Sequence, residues 1–205
     1  VLRVAGAVAG IALIHFSFIG GHEGAGFYGI MLLALLGMLS GPLIFRLIFL
    51  AVGAAAVVSA LVPGGTAATP YMLLAAPLLV NAAAMLVFGL TLLPGKVPLI
   101  TRFSRYDRRQ TESPAVDSHT RRLTKLWTVY FAGIVISTIF MAAAGSFVAA
   151  SWIVTVLSPV GSAALFLAEH LYRYLRKDIF GQASVTRTLR LIAQPDAWRG
   201  IVDDG

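Results

Sequence analysis

Long apolar runs, each cut off by Pro or Gly, dominate this sequence and leave it few ways to fold. A helix needs roughly 20 apolar residues, at a rise of about 1.5 Å each, to cross a bilayer. Runs of about that length follow one another here: Val4 to Ile19, Phe27 to Leu39, Leu43 to Val62, Tyr71 to Leu93, Leu126 to Ala144 and Phe147 to Tyr172. Their stops are Gly20-Gly21, Ser40-Gly41-Pro42, Pro63-Gly64-Gly65, Pro94-Gly95 and Gly145-Ser146. Only helices and closed barrels satisfy their backbone polar groups in lipid, and runs of this length are helical. The expectation is an all-α, polytopic membrane protein of about six transmembrane helices. The second run is short, so a re-entrant segment and five spans are the alternative. Spans five and six should form a tight helical hairpin.

Composition agrees. Hydrophobic residues make up 58% of the 205 and charged residues only 12%, about half the charged share of an average soluble domain. Mean hydropathy is +0.84. Too few polar side chains remain to coat a soluble domain of this size. With no cysteine, the chain has no disulfide framework, thiol nucleophile or thiolate metal site. The first run, after Arg3, has the shape of a signal-peptide core. No cleavage-type site leads into a soluble body, so the expectation is a retained first helix; the missing initiator Met suggests trimming.

Charge placement supports six spans with both termini on the cytoplasmic side. All 16 Lys and Arg residues then fall on inner segments: Arg3, Arg46, Lys96 through Lys125, and Arg173 through Arg199. The outer loops carry Glu23 as their only charge. Cytoplasmic loops collect Lys and Arg in this way, and five spans would break the partition. The formal charge of +7 is thus chiefly a topology signal, and nucleic acid is not an expected partner. The chain divides into spans one to four (1–93), a basic cytoplasmic loop (94–125), the hairpin (126–176) and a cytoplasmic tail (177–205).

Two basic segments look amphipathic. Leu99, Ile100, Phe103 and Tyr106 fall on one helical face, and Arg102, Arg105 and Arg109 on the other. A helix lying in the headgroup layer has this pattern, its Arg side chains reaching lipid phosphates. Gln110 to Ser118 reads as a flexible polar stretch. Arg121, Arg122 and Lys125 lead into span five, with Trp127 and Tyr130 as interfacial anchors. In the tail, Val185, Leu189 and Ile192 share a face, with Arg187 and Arg190 off it. Arg102, Arg105, Arg109, Arg121, Arg122, Arg187 and Arg190 are the candidate contacts for anionic headgroups or for an acidic protein partner, cytosolic or in the membrane. The plainer reading is surface anchoring alone.

Polar groups at membrane depth are costly and often functional. His15, Asn81, Glu169 and His170 are the candidates. Asn81 follows Pro77 by one turn, and can satisfy backbone that the proline disturbs. Glu169 and Arg173 are spaced for an ion pair on one helix face. His15 belongs near the outer side, away from Glu169. Gly6 and Gly10, and Gly133 with Ser137 and Met141, have the small-residue spacing that lets helices approach closely. They suit contacts inside one bundle or an interface with another subunit. His-Glu-x-x-His, Gly-x-Ser-x-Gly and Walker strings are all missing. His119 has no acid at helical spacing, and the four histidines form no metal pattern. No catalytic residue, metal or cofactor is expected.

Ala76-Pro77-Leu78-Leu79-Val80-Asn81, Val97-Pro98-Leu99-Ile100-Thr101-Arg102-Phe103-Ser104-Arg105, Thr120-Arg121-Arg122-Leu123-Thr124 with Trp127, and Leu165-Phe166-Leu167-Ala168-Glu169-His170-Leu171-Tyr172-Arg173 occur in that order. The set resembles a family of small uncharacterised bacterial inner-membrane proteins, encoded among ketosynthase, acyl-carrier-protein and acyltransferase genes of aryl-polyene or xanthomonadin type. It covers about Tyr71 to Arg176. His170 stands where that family usually has Tyr. The resemblance implies a location, the bacterial inner membrane, and a pathway context, but no activity. The functional expectation is an accessory or scaffold subunit tied to acyl or polyene lipid biosynthesis or to a larger membrane complex. A lipid-substrate transporter or flippase-like carrier, and a membrane-embedded acyl or glycosyl transferase, are the alternatives.

Overall fold

A computed structural model of the chain describes residues 2–20, 23–38, 69–106 and 113–180, with isolated helical positions at Arg46, Leu50, Gly53, Ala54 and Val57. Most of the third apolar run, and the tail with Arg187 and Arg190, lie outside the described residues, as does Arg109. Helix accounts for 90% of what is described, and no strand occurs among the described residues.

In chain order the helices are α1 (Leu2–Gly20), α2 (Glu23–Met38), α3 (Thr69–Leu90), α4 (Leu99–Tyr106), α5 (Pro114–Ala143) and α6 (Phe147–Ser151). A π-helical segment, Trp152–Leu157, joins α6 to α7 (Ser158–Leu175), and the short α8 (Lys177–Phe180) follows. Among the described residues three helices are long and apolar enough to cross a membrane: Leu73–Leu90 within α3, α5, and the continuous run Phe147–Leu175. Large apolar side chains lie exposed along them, among them Ile136, Phe140, Val160, Leu167 and Leu171. Lipid, not water, suits such a surface. Helix α2 has 16 residues, or about 24 Å of helix, against an apolar core of about 30 Å.

Helix α5 has 30 residues, about 45 Å at the usual rise. It starts at Pro114, twelve residues before the apolar run at Leu126. The expectation of a flexible stretch to Ser118 is therefore corrected from residue 114 onward. Proline suits a first helical turn because the N–H it lacks has no intrahelical partner there. Ser113 assists by accepting the Val116 N–H at 3.3 Å. The hairpin turn between α5 and α6 contains Gly145 at φ +75°, a left-handed conformation that glycine adopts without a Cβ penalty.

Two compact units make up the chain: Val1–Ala82 with Gly133–Pro159, and Ala83–Ala132 with Val160–Gly205. In the first, Ile14, Ile30, Leu73 and Ala76 form a buried core, with Phe18, Phe27 and Leu33 against it. Helices α1 and α2 pack closely, since a β-carbon at Gly29 would stand 2.6 Å from the Gly10 carbonyl oxygen. Gly6 and Gly10 both face α2, against Leu36 and Leu33. Gly133 instead meets nothing within 4 Å. In the second unit, Phe88, Trp127, Tyr130 and Phe131 form one aromatic cluster, with ring centroids 5.4–6.1 Å apart. The Tyr130 ring also covers Gly161.

Candidate functional site

In the first unit, buried hydroxyls line one face of the last span. Ser151, Thr155 and Ser158 are all buried, and their spacings of four and three residues put them on one helix side. His15 of α1 reaches this face, with Nδ1 3.0 Å from Ser151 Oγ and 2.9 Å from Thr155 Oγ1. The Thr155 hydroxyl donates its only proton to the Ser151 carbonyl at 2.6 Å. It must therefore accept from His15, so Nδ1 carries a proton. The opposite nitrogen, Nε2, is buried with no partner among the described residues. Trp152 meets the His15 ring edge-on at 4.5 Å. The π-helical segment begins at this point. An extra residue in the turn re-aims side chains, and such segments are frequent at functional sites.

Asn81 is buried on α3. Its Nδ2 donates to the Pro77 carbonyl at 2.8 Å, and its Oδ1 accepts the Ser158 hydroxyl proton at 2.7 Å. The sequence pointed to backbone disturbed by Pro77 as the partner. The carbonyl that a proline deprives of a donor lies four residues earlier, at Leu73; Asn81 instead bonds the carbonyl of Pro77 itself. Both ends of the amide are engaged within the protein, which suits a fastening residue.

In the second unit, Thr residues fix the amphipathic helix α4 onto α5. Thr101 and Thr120 share a hydroxyl–hydroxyl hydrogen bond of 2.7 Å, and both are buried. The Thr124 hydroxyl accepts the Ile100 N–H at 3.4 Å, and the Thr91 hydroxyl accepts the Leu99 N–H at 3.0 Å. These are N–H groups of the first helical turn, which lack intrahelical partners. Arg105 adds an ion pair to Asp117 at 2.5 Å. The side of α4 that is buried in protein is only partly its apolar stripe. Leu99 is fully buried in protein, together with Thr101 and Ser104, while Ile100 and Phe103 are half-buried. Arg102 is half-buried, Arg122 and Lys125 are exposed, and Arg121 reaches the Leu92 carbonyl at 3.5 Å.

Glu169 lies in the C-terminal half of α7. Arg173, one turn on and buried, donates from Nε to Glu169 Oε1. The same oxygen lies 3.4 Å from His119 Nε2. His119 reads from sequence as a loop residue without an acid, yet it sits on the second turn of α5 with Glu169 as its partner. No local pattern reveals this, because the two residues are fifty positions apart. Its ring stacks on Tyr172 at 5.1 Å and meets Phe180 at 4.9 Å. His170 does not join the cluster. It stacks on Phe166 at 5.8 Å, and its Nε2 is buried without a partner among the described residues. His15 lies in the first unit and Glu169 in the second. Among the described residues no group of three His, Cys, Asp or Glu side chains is placed to hold a metal ion. Comparison of the chain with family models, curated proteins and solved structures finds no match.

Proposed function

We propose that the protein is an accessory or scaffold subunit of the bacterial inner membrane, with six spans and both termini in the cytoplasm. Its basic inner face recruits an acidic partner, either a cytosolic synthase component or a neighbouring membrane subunit. The resemblance of residues 71–176 to proteins of polyene and acyl lipid gene clusters supports that pathway context. One observation carries the reading: α4 is fastened to α5 by Thr101–Thr120, Thr124 and Arg105–Asp117. A segment serving only as a lipid anchor needs an apolar face and basic residues. Hydroxyl and ion-pair fastenings in addition hold the surface around Arg102 in one orientation, which suits a docking surface. A carrier draws less support, because Asn81 is used up within the protein. A transferase using Glu169 or His170 draws less, because Glu169 is engaged by Arg173 and His119 while His170 stacks on Phe166.

The test is recovery of partner chains with the native protein after charge reversal at Arg102 and Lys125. Arg105 is left in place because it pairs with Asp117. Several-fold loss of partner recovery, with expression and membrane insertion unchanged, is the expected result. Unchanged recovery counts against the reading.

A further inference from the structure

We propose that His119 and Arg122 together bind the headgroup of an anionic phospholipid that carries a free hydroxyl, with His119 Nδ1 hydrogen-bonded to that hydroxyl. The carboxylate of Glu169 accepts from Arg173, and it is an acceptor towards His119 Nε2 as well. An ionised carboxylate offers no proton, so Nε2 carries a hydrogen and Nδ1 is the ring nitrogen left for another partner. Tyr172 and Phe180 hold the ring plane. Nδ1 has no hydrogen-bond partner among the described residues, and the side chain is 24% exposed. The result is an oriented hydrogen-bonding nitrogen with access from outside.

Its depth fits a headgroup. His119 lies seven residues before the apolar run that begins at Leu126, or about 10 Å along the helix axis. Arg122 follows His119 by three residues, on the same side of α5 and roughly 5–6 Å away between β-carbons. It is exposed and has no ion-pair partner among the described residues. A guanidinium binds a phosphodiester well. A hydroxyl two or three carbons beyond that phosphate then reaches the imidazole. Phosphatidylglycerol has this arrangement, whereas phosphatidylmethanol has the same charge and phosphodiester but no hydroxyl.

The experiment measures lipid retention on the full chain in mixed vesicles or nanodiscs holding equal amounts of these two lipids. The wild type is expected to retain phosphatidylglycerol about three- to tenfold over phosphatidylmethanol, the range for one hydrogen bond. His119→Phe keeps the ring stacking and should bring that ratio to about one. Arg122→Gln should lower retention of both lipids and leave the ratio unchanged. Equal retention by the wild type overturns the proposal, and so does an unchanged ratio in His119→Phe. Should His119→Phe fail to fold, the wild-type ratio and the Arg122→Gln result still decide. Displacement of the lipid by soluble glycerol 3-phosphate would assign the site to a water-soluble ligand and overturn the membrane source.

Discussion

Thr101 and Thr120 join hydroxyl to hydroxyl at 2.7 Å, both buried, one on the amphipathic helix and the other on the long helix that continues into the apolar core. Thr120 Oγ1 also lies 3.0 Å from the Val116 carbonyl and 3.1 Å from that of Asp117. Its single proton therefore has backbone acceptors of its own helix, and Thr101 supplies a proton in return. Thr120→Val keeps the shape but leaves the Thr101 hydroxyl buried without this partner, at a cost of about 1–3 kcal/mol. Amide exchange across residues 99–106 should then quicken roughly fivefold or more, as read by mass spectrometry on the protein in nanodiscs. Exchange as slow as in the wild type would show that α4 is held without the Thr101–Thr120 bond, by its other fastenings.

Gly10 and Gly29 set how closely α1 and α2 approach. A methyl group at position 29 would meet the Gly10 carbonyl oxygen at 2.6 Å and the Ile14 backbone nitrogen at 3.0 Å. Backbone cannot swing aside as a side chain can, so the helices must part. Overpacking of this kind costs about 1–3 kcal/mol. Gly133 shares the small-residue pattern but meets nothing within 4 Å. Gly29→Ala should lower the unfolding midpoint by several degrees, and Gly133→Ala should leave it unchanged or raise it slightly through helix propensity. Thermal unfolding in one detergent compares them directly; equal shifts would mean that the close approach does not govern stability.

Asn81 and Ser158 are 77 positions apart and share a buried bond of 2.7 Å. In membrane interiors such bonds contribute about 0.6 kcal/mol on average and up to about 1.7. A double-mutant cycle with Asn81→Leu and Ser158→Ala should return a coupling in that range by denaturant titration. Coupling indistinguishable from zero would place the role of Asn81 entirely in its bond to Pro77.

These three cases differ in how far the sequence discloses them. Long apolar runs and confined charge disclose the helices, because lipid demands a long uninterrupted stretch and excludes Lys and Arg. The Glu169–Arg173 pair is legible because one helix turn separates the two. The bonds of His119 to Glu169, Asn81 to Ser158 and His15 to Ser151 are not, since each joins distant helices and depends on helix rotation that composition leaves open. Thr101, Thr120 and Thr124 are hidden for another reason. Threonine among arginines reads as solvated surface, and only the docking of α4 on α5 turns it into a buried contact.

Glu169 serves Arg173 and His119 at once, and Arg173 is buried. Removing the carboxylate strands the guanidinium, and breaking a buried pair from one side costs about 3–5 kcal/mol. Glu169→Ala should therefore destabilise strongly. Glu169→Ala with Arg173→Met should recover much of the loss, because no charge is then left buried. Unfolding titrations of the single and double variants check the order. A double variant less stable than the single one would mean that Arg173 contributes independently of Glu169, over the Phe180 ring.

Topology is open to a direct measurement because the chain contains no cysteine. A single cysteine at Ser118, in the charged part of α5, should react with an impermeant maleimide only after cells are opened. One at Ser146, exposed in the hairpin turn, should react in intact cells whose outer membrane is permeabilised. Both sites belong to one helical hairpin, so their labelling must differ if α5 crosses the bilayer. Equal labelling of the two would remove the span assigned to α5. Reversed labelling would keep the span and turn the basic face outward, against the bias of Lys and Arg towards the cytoplasm.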